Sequence, residues 1–182
     1  MSLLKIFSAA DAQLLNSIEE HQQITAELDQ VGVRFEAWKA SQPLSDSAEQ
    51  DEVISAYRQP VDQLMTEYGF QTVDVIALRP DHPDRAALRQ KFLSEHTHSE
   101  FEVRFFVEGK GLFYIHHDDK VYAVMCEQGD LISVPANSKH WFDMGEAPSF
   151  KCIRLFTNPD GWVAQYTSDT IAANFPCFEQ FR

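Results

Sequence analysis

The sequence predicts a mainly β fold of the α+β class: an antiparallel β-barrel or jelly roll with N-terminal helices and peripheral elements packed on it. Three observations carry this expectation. Six short apolar-rich segments (100–107, 111–117, 120–126, 130–134, 139–143 and 150–156) follow one another at spacings of about 8–12 residues. Turn formers separate them: Gly109/Gly111, Asp118-Asp119, Gln128-Gly129, Pro135-Ala136-Asn137, and Gly145 to Pro148. Helical patterns fall before residue 94.

Taken in order, residues 2–7 are a candidate strand. Residues 11–29 place Leu14, Leu15, Ile18, Ile24 and Leu28 on one helical stripe, with a phase drift after Ile18. Residues 31–39 alternate apolar and polar from Val31 to Trp38, a strand pattern, and 41–47 form a loop containing Pro43. Residues 48–57 and 61–69 read as helices broken at Pro60. Thus 1–70 is a mixed α/β preface. Residues 72–78 are β-like, Arg79 to Pro83 breaks the chain, and 84–93 is a short helix with Asp84 near its start. The barrel core spans 72–157. An extension, 158–182, carries Trp162, Tyr166, Phe175, Phe178 and Phe181 and is expected to pack on the barrel. The whole, 1–182, reads as one domain.

The chain has 182 residues, enough to bury roughly 70% of its unfolded surface without disulfides. Cys126, Cys152 and Cys177 are scattered and odd in number, which fits thiols in a reducing cytosol. The N-terminal apolar run is too short for a signal peptide, and no uncharged stretch approaches the roughly 18 residues of a membrane span. A soluble, cytoplasmic protein is expected. The formal charge of −13 disfavours nucleic acid and anionic membranes as partners, since both need a basic face. It also means that an anionic substrate would need local cations to hold it.

The chemistry concentrates in His96-Thr-His98-Ser-Glu-Phe-Glu102. On a strand, residues of equal parity share a face, so His96, His98 and Glu102 point the same way. On a helix, His96 would sit about 200° from His98. The spacing therefore predicts a strand. Its odd face (Phe101, Val103, Phe105, Val107) is apolar; its even face adds Glu100, Arg104 and Phe106 to the candidate ligands. Alone, this pattern fits an edge strand with a solvated even face equally well. A second segment, Gly129 to His140, shifts the balance, because its Pro135 turn returns a further imidazole toward the sheet.

These two segments resemble the motifs of the cupin superfamily. His96, His98, Glu102 and Gly109 match the first motif, and Gly129, Pro135 and His140 the second. Gln90, Asn137 and Met144 depart from it, and none is a ligand; Asn at 137 still tolerates positive φ. The resemblance is closer to the acireductone dioxygenases of methionine salvage. It runs through His96 to Phe113, Ile132 to Ala136, Lys139 to Asp143 and Arg154 to Trp162.

What the resemblance implies is specific. Fe(II) or Ni(II), one ion per monomer, would be held by His96, His98, Glu102 and His140, leaving two of six positions for water or substrate. The substrates would be dioxygen and the enediol 1,2-dihydroxy-3-keto-5-methylthiopentene. The iron form would give formate and 4-methylthio-2-oxobutanoate. The nickel form would give formate, carbon monoxide and 3-methylthiopropanoate. Arg104, of ligand parity, is the expected cation beside the enediolate, and Arg154 a second one. Either could instead be a structural salt bridge. Phe92, Phe106, Phe142 and Trp162 are expected to wall the pocket, or to be ordinary core aromatics. Phe101, on the packing face, would couple strain to the ligand strand. Glu95 and Glu100 could accept from imidazole N–H groups, though solvated carboxylates are the simpler expectation. Surface or capping roles are expected of His21, His82, His116 and His117. Two alternatives stand: another metal-dependent cupin dioxygenase or isomerase, and a non-catalytic cupin binding module. A monomer is expected, since no long unpatterned apolar surface is evident.

Overall fold

The structure, a computed structural model, describes residues 2–45, 47–158 and 163–181. Its strands are β1 (Leu3–Ser8), β2 (Leu14–Ile18), β3 (Arg34–Ala37), β4 (Thr72–Leu78), β5 (His96–Thr97), β6 (Glu102–His117), β7 (Lys120–Glu127), β8 (Asp130–Val134), β9 (Lys139–Asp143), β10 (Phe150–Phe156) and β11 (Gln165–Tyr166). The helices are α1 (His21–Asp29), α2 (Gln50–Ala56), α3 (Arg58–Tyr68) and α4 (Arg85–Leu93), followed by 3-10 turns at Ile171–Asn174 and Phe178–Gln180. All strand pairings are antiparallel.

Two sheets share one strand. The C-terminal half of β6 lies in the order β11-β5-β9-β6-β7-β1-β2, and its N-terminal half lies in β3-β8-β6-β10-β4. The sheets face each other across a core that includes Phe106, Phe113, Val124, Phe142 and Phe150. They are not closed into a continuous barrel. The outer face of one sheet is covered by α2 and α3, with Val53, Tyr57, Val61 and Leu64 packed on Val103, Phe105 and Val107. The outer face of the other is covered by the C-terminal extension through Phe175 and Phe181. Each sheet thus buries both faces, which explains the near-continuous apolar runs of β7 and β10.

β6 serves both sheets because it slips register. Before Gly109 the even residues face the inter-sheet core; after it, Phe113 and Ile115 do, and Leu112 and Tyr114 turn outward. The pairing with β10 passes from Glu108 opposite Lys151 to Phe106 opposite Cys152, leaving Val107 as an extra residue. One such residue exchanges the faces of everything beyond it. Gly109 has φ +70°, and a Cβ there would lie 1.9 Å from the Ser149 carbonyl oxygen. Gly109→Ala is therefore expected to cost more than about 2 kcal/mol in urea unfolding, since a left-handed alanine alone costs roughly 1–2 kcal/mol before any clash. A cost near zero would show that the bulge is not tied to this glycine.

Several elements differ from their sequence readings. The stripe over 11–29 is β2 followed by α1. Leu14 and Leu15 are 48% and 51% exposed rather than buried on a helix face. The phase drift marks the junction, where the Glu20 carboxylate accepts from the Gln22 and Gln23 N–H groups and starts α1. The strand read over 31–39 shortens to β3. Pro60 does not break the preface helices. It sits in the first turn of α3, where a missing N–H is harmless, and the break falls at Tyr57 (φ −113°, ψ 21°). The segments 100–107 and 111–117 are one strand.

Candidate metal centre

The centre lies where the two sheets meet. β5 brings His96 opposite His140 of β9, and β6 begins at Glu102. The continuous ligand strand expected from parity is not what forms. β5 ends at Thr97, and His98 to Phe101 is a turn that carries the chain from one sheet to the other. The side chains converge nonetheless, because the turn points His98 and Glu102 back at the same spot. Pro135 to Ser138 delivers His140 from the other side; Asn137, at φ +62°, adopts the left-handed conformation expected of it, and its N–H donates to the His98 carbonyl at 2.8 Å.

His96, His98, Glu102 and His140 are all buried, as is Arg104. Donor atoms of the three imidazoles lie within 4.8 Å of one another. Each ring also reaches a backbone carbonyl through Nδ1: His96 to Ser94 at 2.7 Å, His140 to Ser138 at 2.8 Å and His98 to Val163 at 3.2 Å. A carbonyl can only accept, so Nδ1 carries the proton and each Nε2 offers a lone pair. Glu102 Oε2 stands 3.0 Å from His140 Nε2 and 3.6 Å from His98 Nε2.

This donor set fits a metal ion. The lone pairs of His140 Nε2 and Glu102 Oε2 face each other, a contact that is favourable only with a proton or a metal cation between them. Glu102 Oε2, 3.0 Å from His140 Nε2 and 3.6 Å from His98 Nε2, is close enough to both for one cation to be shared among them. Three imidazoles with one carboxylate and no thiolate suit a divalent transition metal. Burial pushes the His96 imidazole down to about 4, helped by the neighbouring His140, and burial likewise lowers His98. Both are thus held neutral, as ligation requires. Burial works against ionisation of Glu102, but the Arg104 guanidinium outweighs it and holds the carboxyl well below its usual range.

Arg104 donates from Nε to Glu102 Oε1 at 2.6 Å, and its guanidinium lies 4.7 Å from the Phe142 ring centre and 4.9 Å from that of Phe113. Its Nη1 is buried with no hydrogen-bond partner. Arg154 stands directly opposite Arg104 across β6 and β10 and is held by Asp74 at 2.8 and 2.7 Å. Each arginine thus has its own carboxylate, which offsets their repulsion.

A cavity of about 580 Å³ opens onto these groups. Leu88, Lys91 and Phe92 of α4 form one side, Ile76 and Phe156 another, and Val163, Ala164 and Tyr166 a third. Of the expected wall aromatics, Phe92 lines it. Phe106 does not: its ring is fully buried between the sheets. Phe142 lies behind Arg104 rather than on the wall. Trp162 falls outside the described residues. Phe101 is not on a packing face; it is 45% exposed, because it belongs to the turn before β6.

Glu95 is not solvated but faces an imidazole, the other role open to it, and that imidazole belongs to His116 rather than to a candidate ligand. The buried Glu95 carboxylate meets the half-buried His116 ring at 2.7 Å. Adjacent acids on an acidic chain gave no signal for this, since the partner is 21 residues away. Glu100 accepts from Thr157 and Asn158. His82 accepts from the Asp84 N–H, a capping role, whereas His21 stacks on Phe35.

With this geometry in place, the chain can be set beside known proteins. Residues 6–164 match the family model described as the ARD/ARD' family. The acireductone dioxygenase of Aquifex aeolicus is 54% identical over 180 residues, covering 99% of this chain and 98% of its own. That of Pseudomonas savastanoi pv. phaseolicola is 56% identical over 180 residues, covering 98% and 99%. The chain belongs to the acireductone dioxygenase family. It is an oxidoreductase of the dioxygenase class. A solved acireductone dioxygenase from Bacillus anthracis, with a cadmium ion in its active centre, superposes with a TM-score of 0.81 at 31% identity. The match covers 91% of this chain and 98% of that one. The jelly-roll expectation is thereby borne out as the cupin fold. No helix of the described residues is long and apolar enough to cross a membrane.

Proposed function

We propose that this protein is a metal-dependent acireductone dioxygenase of methionine salvage, a cytoplasmic monomer holding one Fe(II) or Ni(II) through His96, His98, Glu102 and His140. Its substrates are 1,2-dihydroxy-3-keto-5-methylthiopentene and dioxygen. The iron form releases formate and 4-methylthio-2-oxobutanoate. The nickel form releases formate, carbon monoxide and 3-methylthiopropanoate. The observation that carries the reading is the cluster of three imidazoles with donor atoms within 4.8 Å of one another, the Glu102 carboxylate against two of them, and a cavity beside them that two arginines also line.

The chemistry a bound ion supplies there is Lewis-acid polarisation and the templating of two adjacent oxygens. Everything else falls to side chains. Arg104 and Arg154 both line the cavity and bring positive charge to the enediolate. Those cations offset the field of a chain with charge −13. Phe92, Phe156, Val163 and Tyr166 give the thioalkyl chain an apolar wall. α4 and the 163–166 segment cover the cavity and limit water, which strengthens each charge interaction inside.

The test is reconstitution. Metal-stripped protein is loaded with Fe(II) or Ni(II), given the enediol under oxygen, and followed by oxygen uptake and carbon monoxide release. Both forms are expected to consume oxygen, and the nickel form alone to release carbon monoxide. Failure of both to consume oxygen would overturn the assignment.

A further inference from the structure

We propose that Glu95 and Thr167 are positioning residues for the metal centre. They lock the 163–167 segment in place, and through the Val163 carbonyl this lock aligns His98. The inference rests on the reading of His98 as a metal ligand.

The three imidazoles are not oriented alike. His96 and His140 each donate from Nδ1 to the carbonyl two residues earlier, Ser94 and Ser138. Those contacts are local and come with the backbone turn. His98 donates to Val163, 65 residues away. The Asn137 N–H fixes the His98 backbone but not its ring. His98 is therefore the imidazole whose alignment depends on where the C-terminal extension sits.

That extension has little apolar anchorage here. Val163 is 48% and Tyr166 53% exposed. Its ladder onto β5 is two residues long, Gln165 opposite Thr97 and Tyr166 opposite His96. So short a pairing is marginal by itself. The remaining hold is polar. Thr167 donates its N–H to the Glu95 carbonyl at 3.1 Å and its Oγ1–H to Glu95 Oε1 at 2.8 Å. The other carboxylate oxygen, Oε2, faces His116 Nδ1 of β6 at 2.7 Å. The Glu95 side chain is wholly buried, so its partners are obligatory rather than decorative: a buried carboxylate left unpaired is costly. The network ties three separated parts of the chain together: the residue before His96, the middle sheet strand, and the segment carrying the His98 acceptor. Because Val163, Ala164 and Tyr166 also line the cavity, the same lock sets one of its walls.

Thr167→Val removes the hydroxyl and keeps the shape; Thr167→Ser keeps the hydroxyl. Nickel affinity is measured by competition with a chromogenic chelator, without substrate. Thr167→Val is expected to bind nickel about tenfold more weakly or worse, the usual range for losing support of a ligating histidine. Thr167→Ser is expected to recover most of it. In the cadmium-loaded protein, proton–nitrogen spectra should show the His98 Nδ1–H losing its protection in Thr167→Val, while those of His96 and His140 keep theirs. A merely structural role would weaken all three together. Nickel binding by Thr167→Val at the wild-type affinity, or a loss that serine does not rescue, overturns the inference while leaving the metal centre standing. A wild-type protein that takes up no nickel overturns the metal reading itself, and this inference with it.

Discussion

Arg104→Ala is expected to lower turnover by about 100- to 1000-fold, the usual loss when one preorganised donor to a developing charge is removed. Metal content should stay near one ion per chain. Two roles have to be separated, because Arg104 both neighbours the cavity and donates to Glu102 at 2.6 Å. If its purpose were to keep the Glu102 carboxylate ionised, the substitution would release the metal and turnover would fall with it. A bound cation, however, can take over that partnership, since Glu102 Oε2 already faces His140 Nε2 at 3.0 Å. What no other group replaces is the guanidinium charge at the cavity wall beside Glu102. Lysine should recover part of the loss: it restores the charge but not the planar fork that stacks between Phe142 and Phe113. Arg154→Ala should cost less, because the Arg154 charge is already met by two bonds from Asp74. Oxygen uptake measured beside metal analysis on the same samples decides the matter. Parallel loss of both from Arg104→Ala would reject the substrate role.

The same residues show what the sequence made legible. Strands 130–134, 139–143 and 150–156 were readable to the residue, since alternation and turn formers bound them on both sides. The four candidate ligands and Arg104 were readable because their spacing survives whatever backbone connects them. The backbone itself was not. Parity assumed one strand from His96 to Glu102, whereas the chain turns at His98 and changes sheets. Gly109 marked a turn by composition, but its role is a register slip inside a single strand, visible only once β10 is paired beside it. Phe106 shares the inward face of Glu102 and Arg104, as parity has it, but lies deeper between the sheets than the cavity, and Phe101 falls in the turn before β6, where parity does not apply. Glu95 is readable as an acceptor for an imidazole, but nothing local says that its partners are His116 and Thr167 rather than a neighbouring candidate ligand or water.

Stripping the metal should make the fold acid-labile in a defined window. The His96 imidazole is depressed by burial to about 4 in the folded chain, against about 6.5 when unfolded. Below about pH 6.5 the unfolded chain binds a proton that the folded one refuses. Folding stability must therefore fall as pH drops toward 4. His98 is shifted in the same direction and adds to the loss. Glu102 is depressed as well, so its contribution is present above its unfolded value and begins to be lost only as pH falls through the carboxylate range, at the acid end of the window. For His96 alone, the fall from 6.5 to about 4 corresponds to roughly 3 kcal/mol across the full interval. Chelator-treated protein, unfolded in urea at intervals from pH 7 to 4, should show this decline. His96→Gln should flatten part of it, since glutamine has no proton to refuse. Saturating nickel should shift the decline to lower pH, because ion and protons compete for the same lone pairs. A decline equally steep in His96→Gln would place the acid sensitivity elsewhere in the chain and would mean that His96 is not held neutral by its burial.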